Sequence, residues 1–131
     1  TPTKNHSADN INLLRRFWQT LGASVLEMDA AKHDEILAVT SHLPHILSVI
    51  LARIVQDDER PFTGTGFAGM TRLAAGSPEI WRDILLDNRN NILKALCRVD
   101  TQLQQLIVAL QSNDTETIER LLREAKSKME N

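Results

Sequence analysis

Four of the five glycines in this 131-residue chain, Gly64, Gly66, Gly69 and Gly76, stand within thirteen residues of one another. Elsewhere helix breakers are scarce, and Leu, Ile and Ala recur three and four residues apart. A chain that keeps its breakers in one place folds as helices around one special loop. The expected fold class is therefore all-α: a multi-helix domain with one or more very long helices. The length suits a single domain over residues 1–131, since domains cluster near ~100–150 residues. With 42% apolar and 24% charged residues, it is no disordered tail, collagen-like chain or cystine scaffold.

The spacing predicts a first helix from about Ser7 to Leu21, with Ser7 or Asp9 as cap. Ile11, Leu14, Phe17, Trp18 and Leu21 form its apolar face, and Gly22 closes it at C′. Ala23 to Met28 reads as a short extended piece centred on Val25, a lone edge strand of a sheet supplied by residues outside this chain. A second helical stretch, about Ala30 to Val55, is apolar over more than one face, as in a helix central to its domain or packed on two partners. Pro44 should break or kink it near Thr40 to Ser41. After a charged connection, Gln56 to Pro61, and the glycines, a short helix is expected from Met70 to Ala75. Ser77-Pro78 is a strong helix start. The helix it opens reads as continuous to about Leu110, far beyond the ~11–12-residue average, and long enough to pair with another subunit. Asp114 caps a last amphipathic helix, with Glu116–Arg120 and Glu119–Arg123 as expected surface pairs.

Fifteen Lys and Arg against seventeen Asp and Glu give a net charge of −2, without the basic excess of a nucleic-acid binder. The single cysteine, Cys97, fits a reducing compartment. No apolar run approaches the ~18 residues of a membrane span, and no signal peptide is visible. The expectation is a cytoplasmic protein with neither nucleic-acid nor membrane partner. The start, Thr1-Pro2-Thr3 without Met, hints at a piece of something longer or a processed product.

Gly64 to Gly69 match G-x-G-x-x-G letter by letter. That fingerprint needs a strand before it and a helix after it. Asp57-Asp58-Glu59-Arg60-Pro61 cannot be a buried strand, so a tight turn allowing close backbone approach is the better reading. Ser41-His42-Leu43-Pro44-His45, with His33 nearby, collects three of the four histidines. His42 and His45 share a helical face. They could be satisfied core histidines, metal ligands with His33, or the lining of a polar pocket at a helix break. Arg72 offers a planar fork suited to a carboxylate, although most surface arginines are merely solvated or paired. Trp81 is a core residue or a pocket wall.

Taken together, these segments resemble the C-terminal helical domain of the prephenate/arogenate dehydrogenase family. The matching pieces are Thr1-Pro2-Thr3, Phe17-Trp18, Leu21-Gly22-Ala23, His33-Asp34, Ser41 to His45, Gly66-Phe67, Thr71 to Ala74, Ser77 to Ile84, and Asn88. They run in order over residues 1 to about 95. The resemblance implies the second half of a two-domain enzyme whose upstream Rossmann domain binds NAD or NADP. The reaction it implies is oxidative decarboxylation of prephenate or arogenate in tyrosine biosynthesis, with the helical half closing the substrate site and forming a homodimer. It further implies that Arg72 binds a substrate carboxylate, that His42 and His45 line the pocket with His33 near it, and that Trp81 sits at its edge. The family's catalytic histidine falls upstream of Thr1, so this chain is expected to hold no catalytic, cofactor-binding or metal-binding residue and to be inactive alone. His6 is not that histidine.

One position departs from the family pattern. Gly69 stands where an acidic residue often precedes the arginine by three, so a contact that could orient Arg72 is missing. Two other readings compete: a free-standing helical interaction or dimerisation module without catalysis, and a metal-binding helical protein using His33, His42 and His45.

Overall fold

A computed structural model of the chain describes residues 7–130. Thr1-Pro2-Thr3 and His6 lie outside the described residues. The chain divides into two compact units, one ending at Gly76 and one beginning at Ser77. The described residues are helical, with no strand among them.

Helix α1 (Ala8–Thr20) starts where Ser7 accepts the Asn10 N–H. It ends at Gly22, whose φ of 82° L side chains avoid. The Gly22 N–H bonds the Gln19 carbonyl and the Ala23 N–H the Trp18 carbonyl, closing a Schellman motif. Ala23 to Met28 form no strand. The β-branched centre at Val25 is there, but no described segment lies alongside to pair with it. Asp29 then caps α2 (Ala30–Leu37) by accepting the Lys32 N–H at 2.8 Å.

Pro44 does not break the next stretch. A π-helical turn (Ala38–His42) joins α2 directly to α3 (Leu43–Ile54). Proline has no N–H to offer the Thr40 carbonyl four residues back. The ladder shifts register instead, and the Leu43 N–H reaches the Ala38 carbonyl five residues back. The Thr40 hydroxyl donates to the Ile36 carbonyl at 2.9 Å. By length and composition Ala30–Ile54 is long and apolar enough to cross a membrane, which corrects the expectation that no segment is.

The glycine segment is helical and not a tight turn. A short 3₁₀ turn (Arg60–Phe62) leads to α4 (Thr65–Thr71), then a second 3₁₀ turn (Arg72–Ala75). Both α4 and the second turn pack on α3. That packing, with Phe67 half-buried, outweighs the poor helix propensity of two internal glycines.

The second unit holds α5 (Pro78–Asp87), α6 (Arg89–Gln111) and α7 (Thr115–Met129). The Ser77 hydroxyl accepts the Ile80 N–H and donates to Glu79 at 2.7 Å, which lowers the Glu79 pKa. The single helix expected from Pro78 to Leu110 is interrupted at Asn88. This residue is buried, and its side-chain oxygen accepts from Asn91 at 2.9 Å. An asparagine that hydrogen-bonds locally favours a helix end over a helix interior. Asn113, at φ 54°, closes α6 in a second Schellman motif, and Asp114 then caps α7. Arg123 pairs with Glu119 as expected, but Arg120 pairs with Glu124, not with Glu116.

Candidate functional site

The register shift at Ala38–His42 decides what the central helix buries. Ala38, His42, His45 and Ser48 fall on one face, and all four are buried. Three of them are polar. Ile36, Val39, Leu47, Ile50 and Ile54 form an exposed stripe on the same stretch. The helix is thus polar inside and apolar outside, the reverse of a soluble surface helix.

Burial works against a charged imidazole, because the protonated ring loses its hydration. It lowers the pKa of His42 below the ordinary 6.5, with Asp34 pulling it back up and His33 pushing it further down. Burial alone lowers that of His45. At neutral pH both rings are uncharged, each with one N–H donor and one nitrogen acceptor. His33, on α2, is exposed and lies 3.0 Å from the Asp34 carboxylate through Nδ1. His33, Asp34 and His42 therefore form one electrostatic cluster.

Ser48, one turn beyond His45, accepts the backbone N–H of Ala74 at 3.0 Å. The bond ties the 3₁₀ turn that starts at Arg72 to the polar face of α3. The Thr71 hydroxyl caps the other side, donating to the Phe67 carbonyl at 2.8 Å. Arg72 itself is exposed and has no ion pair among the described residues. Among the described residues, a Cβ added at Gly64, Gly66 or Gly69 would meet nothing within 4 Å beyond its chain neighbours and its own helix backbone, so a side chain would fit there.

The first unit thus joins His33 to His42 electrostatically, puts His45 on the same face as His42, and carries Arg72 on the turn whose Ala74 is tied to Ser48 of that face. Trp81 belongs to the second unit, half-buried on the first turn of α5. Ser48 was not singled out in the sequence, though its spacing from His42 and His45 puts it on their face. Among the described residues no three His, Cys, Asp or Glu side chains are grouped to hold a metal ion. Nor do Gly64 to Gly69 fit a dinucleotide. They follow a 3₁₀ turn where the phosphate-binding fingerprint needs a strand.

This architecture defines a class: a helical domain with a polar cluster turned inward beside an arginine-bearing turn, and apolar stripes turned outward for a partner. Residues 29–124 match the family described as "Prephenate dehydrogenase, dimerization domain", and the chain belongs to that family. It is 32% identical to the cyclohexadienyl dehydrogenase of Zymomonas mobilis over 87% of this chain and 41% of that protein. It is 29% identical to the prephenate dehydrogenase of Bacillus subtilis, over 96% of this chain and 36% of that protein. Among solved structures it superposes on Synechocystis arogenate dehydrogenase with a TM-score of 0.85 at 25% identity, covering 99% of this chain and 50% of that one. Against the A. aeolicus prephenate dehydrogenase in complex with hydroxyphenyl propionate and NAD+, the TM-score is 0.82 at 30% identity, over 99% and 48% of the two chains. The chain spans half or less of each of these relatives.

Proposed function

We propose that this chain is the substrate-binding and dimerisation half of an NAD- or NADP-dependent prephenate or arogenate dehydrogenase of tyrosine biosynthesis. The observation that carries the reading is an unpaired Arg72 on a turn fixed by Ser48 to the helix face that holds neutral His45 and His42. The overall reaction takes prephenate and the oxidised cofactor to 4-hydroxyphenylpyruvate, CO2 and the reduced cofactor, or arogenate to tyrosine likewise. Gly64 to Gly69 do not fit the dinucleotide, and the part proposed for this chain is to bind and orient. The guanidinium takes a substrate carboxylate through two parallel N–H···O bonds. The neutral imidazoles present donors and acceptors to the ring substituents without adding charge. His33 with Asp34 sets the local field.

The exposed stripes serve the dimer. Ile36 on α2, Val39 in the π turn and Leu47, Ile50 and Ile54 on α3, with Leu93, Leu103 and Leu110 on α6, are apolar surface that a second copy covers. The enzyme is assigned to the cytoplasm, in keeping with the exposed free thiol of Cys97.

Steady-state turnover tests the reading. The intact enzyme oxidises prephenate or arogenate with NAD+ or NADP+, and the isolated 131-residue chain does not. Turnover by the chain alone contradicts the assignment of the hydride chemistry elsewhere. Failure of the intact enzyme on both substrates contradicts the function.

A further inference from the structure

Pro44 changes what lies beneath His42. An unbroken α-helix takes about 3.6 residues per turn, so two residues eight positions apart overshoot two full turns by roughly 80°. His42 stands eight positions after Asp34. Between them runs the π turn, Ala38–His42, beyond which the Leu43 N–H reaches back to the Ala38 carbonyl. One α turn and one turn widened by about one residue together take roughly eight residues. His42 therefore stands on the same side of the helix as Asp34, two turns on. Nδ1 of His33 lies 3.0 Å from the Asp34 carboxylate, so this pair sits at the foot of the column that His42 heads. His45, three residues further, is rotated out of the column by about 60° and raised by nearly another turn.

The two rings differ in the way this geometry requires. Both are buried, so burial by itself would treat them alike. Yet Asp34 and, more weakly, His33 act on His42, whereas burial alone acts on His45. The neighbouring elements do not supply the difference. Lys32 and Glu35 on α2 pair with each other at 2.9 Å. Helix α4 carries no ionisable side chain. Arg72, on the 3₁₀ turn packed against α3, is exposed. The cause of the wide turn is Pro44, which has no N–H for the Thr40 carbonyl and whose ring crowds it. The structure assigns Pro44 the part of a positioning residue: the π turn it imposes stacks the His33–Asp34 pair under His42 and leaves His45 outside that column. The two buried imidazoles then have different duties. His45 is held neutral by burial, and His42 is the ring whose charge answers to α2. The inference rests on the proposed function, in which both neutral rings face the substrate. There, the His33–Asp34 pair sets the pH below which the neutral form of His42, and with it substrate binding, is lost.

Ring titrations of His42 and His45, followed by NMR in the intact enzyme, test this, with kcat/KM measured against pH on the same proteins. Asp34→Asn removes the charge that favours the protonated ring, so the His42 midpoint moves to lower pH and the His45 midpoint stays. Pro44→Ala restores an N–H at position 44, lets the ladder close as an α-helix, and swings the pair out from under His42 by roughly 80°. The His42 midpoint moves the same way, again without His45. The double substitution moves it no further than the larger single shift, because both changes remove one contact. In each variant the acid limb of kcat/KM moves to lower pH with His42. A His42 midpoint unmoved by either substitution overturns the proposal. So do additive shifts in the double variant, and so do equal shifts of both rings in Pro44→Ala, which mark a general change of burial. Asp34→Asn leaves the helix intact and tests the column by itself where Pro44→Ala does not fold. Ring shifts without turnover of either substrate leave the positioning of His42 standing and remove the proposed function; turnover without ring shifts does the opposite.

Discussion

Up to Gly76 the buried side chains among the described residues are Ala38, His42, His45 and Ser48; from Ser77 onward they are Asn88, Ile92, Ala95 and Ala109. Three of four are polar in the first set and one of four in the second. Burying a polar group costs free energy unless its hydrogen bonds are met, so a row of them is kept for what the groups do. Small aliphatic residues inside a 23-residue helix need no such explanation. They let a neighbouring helix approach closely. Under the proposed function, the first unit supplies the substrate contacts, and the second is mainly scaffold with outward apolar surface.

Substitutions that strike one unit and spare the other sharpen this contrast. The largest effect is expected from Ile92→Ala in the second unit. It removes a buried side chain and lowers stability by about 3 kcal/mol, read by denaturant unfolding. The KM of the folded fraction stays near wild type. Arg72→Ala does the reverse. It raises KM for the carboxylate substrate about 100-fold in steady-state kinetics, while the unfolding midpoint hardly moves, because the side chain is exposed and unpaired. Arg72→Lys recovers only part of the loss, since an ammonium is a point charge and not a fork. Ser48→Ala touches both properties. It leaves the Ala74 N–H without its partner, costs about 1–2 kcal/mol in the same unfolding assay, and loosens the turn that carries Arg72.

The smallest effect is on pH dependence. The folded-state pKa of His42 and of His45 is lowered below 6.5 by burial. Below that value the unfolded chain takes up protons that the folded chain refuses. Stability is full above pH 6.5 and falls as pH drops toward the folded-state values. Unfolding curves across this range check it, and the double substitution His42→Gln, His45→Gln flattens the slope.

What could be read in the sequence was mostly local. Ser7, Ser77 and Asp114 act as caps, and Gly22 takes the left-handed turn, because each of these roles is decided within about four residues. Long-range contacts were not legible. Pro44 forecast a break or kink near Thr40 to Ser41, and the ladder absorbs the lost bond there by widening into a π turn without ending the helix. Asn88 fell inside the stretch read as one helix from Pro78 to about Leu110, yet it is buried and ends α5. The glycine segment folded as helix because α4 and the following turn have α3 to pack on. Val25 showed strand character, but a strand exists only with a partner. Of the candidate site, the histidines and Arg72 stood out by residue type. Ser48 did not, because a lone serine in an apolar run is recognised only once Ala74 is seen beside it.

The most direct test of the division between the units is a titration of the intact enzyme with hydroxyphenylpropionate, the ligand held by the A. aeolicus relative. Amide and side-chain resonances are followed by NMR. Saturable shifts at His42, His45 and Arg72, with α6 and α7 beyond Asn88 unmoved, are the predicted result. Saturable shifts centred on α6 or α7, with residues 38–48 and Arg72 unmoved, contradict the assignment of the chemistry to the first unit.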